Sequence, residues 1–104
     1  MIKLVALYKK PADADATEAF EKHYFENHMP LVAKTPGLIK SEVSYCKALP
    51  GMETKYHLMC EMYYADMDSF NAGMASPEGR AAGKDLMGFA KHYVEMMIGE
   101  VKEN

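Results

Sequence analysis

Apolar and polar positions alternate or recur along this chain in a way that divides it into short segments. Ile2 to Lys9 is rich in β-formers and predicts a strand, with Ile2, Leu4, Ala6 and Tyr8 on one side and Val5 and Leu7 on the other. Pro11 to Thr17 predicts a loop. Asp15 and Glu18 offer a capping box, with Thr17 as the competing N-cap, for a helix running to about Lys34. Phe20, Tyr24, His28 and Leu31 fall on one face of that helix, and Pro30 should bend it before Pro36-Gly37 ends it. Leu38 to Lys47 and Thr54 to Tyr64 predict a hairpin around Leu49-Pro50-Gly51. A second helix follows from Asp66 or Asp68 to Ala75, and Ser76-Pro77-Glu78 starts it again: a capping hydroxyl, a proline in the first turn and an acid complementing the dipole. His92 to Val101 predicts a fourth strand. The order β-α-β-β-α-β is the ferredoxin-like α+β arrangement, one domain over residues 1–104 with two helices on one face of a four-stranded antiparallel sheet.

The hairpin register decides which residues share a face. If paired residue numbers sum to about 101, Lys40 faces Glu61 as a cross-strand charge pair. The apolar face, expected under the helices, then carries Ile39, Ser41, Val43 and Tyr45 with Tyr56, Leu58, Cys60 and Met62. The other face carries Lys40, Glu42 and Ser44 with His57, Met59, Glu61 and Tyr63. The first and last strands are apolar on both sides, whereas two helices cover only one. A second copy packed sheet against sheet is the economical cover, and it predicts a homodimer enclosing a partly polar cavity.

Composition narrows the function classes. The 104 residues are 49% hydrophobic and 26% charged, which suits a folded globular domain. The formal charge is −3 and the basic residues are scattered, against nucleic-acid binding. No apolar run suits a signal peptide or a membrane span, so a cytoplasmic protein is expected. Cys46 and Cys60 fall opposite Lys55 and Ser41 in this register, too far apart for a disulfide. The ten methionines suit filling of irregular apolar space.

Four histidines are candidates for chemistry. His23 and His28, five apart, should point in different directions on an α-helix, a poor metal pair, and no His, Cys or carboxylate cluster has metal-ligand spacing. No phosphate-binding glycine motif or nucleophile elbow is present. His28 shares the buried stripe one turn beyond Tyr24. A helix C-terminus favours its cation and burial its neutral form, so it suits acid–base work near neutral pH, and it equally suits a packing role. His57, Met59, Glu61 and Tyr63 could line a pocket for a small polar or aromatic ligand, or form a polar dimer interface. Cys60 is expected to be an inert buried hydrophobe, and His23 and His92 carry no particular signal.

Phe20-x-x-x-Tyr24-x-x-x-His28-Met29-Pro30-Leu31, Pro36-Gly37-Leu38, and then Met74 to Arg80 with Asp85 and Phe89 resemble the two signature blocks of the EthD family. The resemblance implies a dimeric α+β barrel related to lactone isomerases, polyketide cyclases and haem-degrading monooxygenases. His28 carries over as a recurring family residue, Tyr24 less so, and His57 stands where the family has an aromatic or apolar residue. Three functions stand: an enzyme using His28 and Tyr24 on an aromatic-derived or lactone-like metabolite without a cofactor; an accessory protein binding a small ligand or haem through His28 or His57; and a structural dimer with a closed interface.

Overall fold

A computed structural model describes residues 1–103. β1 (Ile2–Lys9) buries alternate side chains, Ile2, Leu4, Ala6 and Tyr8, and occupies the centre of the sheet. It pairs antiparallel with β3 (Tyr56–Tyr64) on one side and β4 (Val94–Glu100) on the other, and β2 (Lys40–Tyr45) closes the far edge, giving the order β2-β3-β1-β4. All helices lie on one face, so the molecule is a plate of 38 × 35 × 18 Å, the ferredoxin-like α+β arrangement.

The hairpin is slid by two residues from the expected register. Lys40 faces Tyr63, Glu42 faces Glu61 and Val43 faces Cys60, because Leu49-Pro50-Gly51-Met52 forms a tight turn with Gly51 at φ +80° and Met52 N–H bonded to the Leu49 carbonyl. A slide of two preserves which face each side chain occupies. Leu58, Cys60 and Met62 accordingly lie under the helices. Cys46 pairs with His57 through the backbone instead of facing Lys55, and both thiols are free.

One local fault does change a face. Tyr8 pairs with Leu58 but Lys9 pairs with Tyr56, so His57 is the extra residue of a β-bulge. Tyr56 turns to the open side, where its hydroxyl donates to Glu95, and His57 turns to the helical side, the reverse of the expected assignment.

α1 (Ala14–His23) starts at Asp13, whose carboxylate accepts from Ala16 N–H at 2.8 Å; Asp15 sits inside the first turn and caps nothing. The helix does not run evenly to Lys34. It widens into a π turn over Tyr24–His28, closed by Met29 N–H on the Tyr24 carbonyl, and resumes as α2 (Met29–Ala33). Pro30 has no N–H and would strike the carbonyl four residues back in a regular α-helix, so the ladder takes up its defect in the turn before it. Past the π turn Val32, instead of Leu31, is the buried residue.

α3 (Met67–Ala75) is capped by Asp66 and α4 (Pro77–Phe89) by Ser76. Their close crossing needs Gly79, where a Cβ would strike the Gly73 carbonyl. α4 reaches the π turn and α2, which brings its polar stripe against the first helix.

Candidate active site

Asp85 of α4 is the meeting point. His23 Nε2 lies 2.9 Å from its Oδ1, and His28 Nδ1 lies 3.0 Å from its Oδ2. On an α-helix two residues five apart diverge by about 140°. The π turn, with its five-residue hydrogen bond, swings them back toward one side, and this is why His23 joins a pair that spacing alone ruled out. The Asn27 amide donates to His23 Nδ1 at 3.2 Å, which leaves the His23 proton on Nε2, facing the carboxylate. Asp85 thus accepts from two imidazoles.

Burial divides the two histidines. The His28 side chain is 6% exposed, that of His23 34% and that of Asp85 21%. Burial holds His28 below the ordinary imidazole pKa, opposed by the hydrogen bond and charge of Asp85, while the neighbouring His23 adds to the lowering. His28 is held by rings on both sides: Phe89 at 5.1 Å between centroids and Tyr24 at 5.9 Å. This packing supplies the burial that disfavours the cation.

Tyr24 is fully buried. Its hydroxyl has Cys60 and Tyr8 as polar neighbours but makes no well-aligned hydrogen bond, and burial drives its pKa far up. It buttresses His28 through its ring and borders neither cleft described below. Burial also raises the Cys60 thiol pKa, so the thiol stays protonated.

Two open clefts flank His23, one of them reaching Asp85. One of about 580 Å³ is lined by His23, Ala81, Lys84, Asp85, Gly88 and Phe89; the other, of about 300 Å³, by Ala16, Ala19, Phe20, His23, Phe89 and Tyr93. They share His23 and Phe89, whose rings are 4.3 Å apart. Among the described residues no three His, Cys, Asp or Glu groups are placed to hold a metal ion.

The remaining expected site residues are dispersed. Met59, Glu61 and Tyr63 occupy the open face of the sheet, opposite the helices, so within one chain no ligand touches them and His28 together. Glu61 is paired with Lys3 at 2.8 Å, and Lys40 lies 4.7 Å over the Tyr63 ring. His57, turned by the bulge, bonds Glu21 of α1 at 3.0 Å, and Tyr45 donates to the same carboxylate at 2.7 Å; the Tyr45 bond, then His57, holds the Glu21 pKa down. Sequence reasoning passed over His23 and Asp85 as chemistry. The proline within a helix carrying two histidines five apart was the available signal.

A family model described as the EthD domain matches residues 14–92, which span both histidines, Asp85 and most of the fold. The chain belongs to the EthD family. An uncharacterised 11.0 kDa protein of the thcB–thcC intergenic region of Rhodococcus erythropolis is 30% identical over 98 residues, covering 94% of this chain and 92% of that one. The crystal structure of an EthD family protein from Bacillus halodurans C-125 superposes with a TM-score of 0.90 at 46% identity, covering 98% and 99% of the two chains. Two more distant structures share the fold alone. A dimeric ferredoxin-like protein of unknown function from Thermobifida fusca has a TM-score of 0.69 at 17% identity, covering 96% of this chain and 90% of that one. Hydroxynitrile lyase from Passiflora edulis has 0.75 at 10%, covering 99% and 94%. Among the described residues, no helix of this EthD protein is long and apolar enough to cross a membrane.

Proposed function

We propose that this EthD protein is a small acid–base enzyme that moves a proton on an aromatic-derived or lactone-like metabolite and works as a homodimer. The observation that carries the reading is the Asp85 carboxylate shared by two imidazoles beside an open cleft. The base is His23 Nδ1, reached when a substrate displaces the Asn27 amide. It takes the substrate proton, the Asp85 carboxylate holds the imidazolium that forms, and the buried His28 N–H, its ring buttressed by Tyr24, keeps that carboxylate in place. The fold shared with a lyase supports a catalytic use of this architecture and does not specify the chemistry.

The homodimer rests on the open sheet face. There Val5, Leu7, Met59 and Met97 form an apolar centre between the Lys3–Glu61 pair and the Lys9–Glu95 pair. The chain exposes 6695 Å², against about 5,900 Å² for a folded monomer of its size. The excess, roughly 800 Å² over the whole chain, is comparable in size to one partner's share of a standard interface. The dimeric state of the Thermobifida fusca neighbour supports the same assembly.

The test is proton exchange in D2O, followed by NMR on a panel of small lactones and enolisable ketones. Exchange by the wild type that falls about 10²-fold in His23→Gln supports the reading. A panel with no exchange above the buffer rate, or exchange unaffected by that change, removes it. Haem titration separates the accessory alternative: an imidazole-ligated haem spectrum lost in His28→Gln or His57→Gln favours carriage over catalysis.

A further inference from the structure

We infer that the double cleft around His23 takes a small aromatic carboxylate, its ring in the lobe of Phe20, Phe89 and Tyr93 and its charge at Lys84. The inference rests on the acid–base reading of His23, Asp85 and His28 and names the substrate class of that site.

The two lobes differ in chemistry. The smaller one is walled by aromatic rings, with Phe20 5.6 Å from both Phe89 and Tyr93 between centroids. It is a solvent-open cleft of about 300 Å³, and the half-buried Phe89 and Tyr93 offer a flat guest aromatic surface there. The larger lobe runs along the α4 stripe Ala81, Lys84, Asp85 and Gly88, spaced as one helix face. Lys84 makes no ion pair among the described residues, while the neighbouring carboxylate of Asp85 is taken up by two imidazoles. An exposed ammonium group without an internal partner, one step from that carboxylate, fits the anionic end of a ligand whose ring lies across Phe89. His23 and Phe89 line both lobes, so a molecule spanning them crosses the proton-transfer groups. Gly88 keeps the charged lobe open: a Cβ built there meets nothing within 4 Å, so a larger side chain at this exposed position projects into free space without disturbing the core.

The experiment is a titration of the intact protein at low salt, followed by amide chemical shifts, with phenylacetate, benzyl alcohol and acetate at millimolar concentrations. Phenylacetate is expected to shift His23, Lys84, Phe89 and Tyr93 saturably and more tightly than either fragment. Lys84→Gln should weaken phenylacetate about threefold, the scale of an exposed ion pair, and leave benzyl alcohol unchanged, and Gly88→Leu should abolish phenylacetate binding. Three outcomes overturn the inference: no saturable shift, equal affinity in Lys84→Gln, or shifts confined to the open sheet face around Val5 and Met59. Its failure is separable from that of the acid–base reading. Binding without proton exchange on any panel member leaves the pocket and removes the catalyst; exchange on neutral lactones with no phenylacetate binding does the reverse.

Discussion

The two sides of the sheet use charge in opposite ways. On the open side the ion pairs reach across neighbouring strands and keep contact with water: Lys3 with Glu61 at 2.8 Å, Lys9 and Lys55 with Glu95 at 3.4 and 3.5 Å, all flanking an apolar centre. On the helical side two imidazoles from one helix converge on a single carboxylate from another, and one of them is buried. The first arrangement is a polar frame around a sticky patch. The second holds a titratable group away from its solution behaviour, at some cost in stability. Exposed pairs contribute little because water competes for both charges, whereas a buried donor that loses its acceptor has nothing to replace it.

Four changes sharpen that contrast, in falling order of effect. Val5→Glu sets an unpaired charge in the middle of the open face and should weaken the dimer at least about 10²-fold, read by native mass spectrometry as protein is diluted, with the monomer still folded. An unchanged dimer would place the interface elsewhere. Asp85→Ala strands the His28 and His23 protons and should lower unfolding stability by about 1–3 kcal/mol in urea, with the dimer retained. Acidification is next. The His28 pKa is lowered in the fold, so between its folded value and the ordinary 6.5 the unfolded chain binds more protons. Stability from the neutral ring is therefore complete above about pH 6.5 and is lost as pH falls through the folded value. His28→Gln should flatten that limb of a stability–pH curve, and a curve of unchanged shape would assign the loss to another group. Lys3→Gln is the smallest: its ammonium keeps contact with water, so the pair contributes little and the denaturation midpoint should stay close to that of wild type.

Most of the fold was legible because its determinants are local. Period-two alternation in β1, Ser76 as a cap, and the proline–glycine turn each specify an element through neighbours in sequence. Even a register wrong by two residues kept the side each residue of β2 and most of β3 faces, since parity alone assigns it. But β2, at the sheet edge, is not covered by the helices as expected and leaves Ile39, Ser41 and Tyr45 exposed. His28 and Tyr24 on a buried stripe followed from helical spacing. His57 did not follow, because a bulge opposite Lys9 reverses parity where no residue announces it.

The site itself is where local reasoning stopped. The sequence determined that a proline would disturb the helix carrying His23 and His28, and set Asp85 in a block resembling the EthD signature. Only the tertiary structure decided that the disturbance is a π turn, that it aims both rings the same way, and that Asp85 arrives from 57 residues downstream of His28 to join them. Helix propensity and periodicity are properties of a few consecutive residues. The meeting of three side chains from two helices depends on how those helices pack, and here Gly73 and Gly79 set the crossing that positions α4.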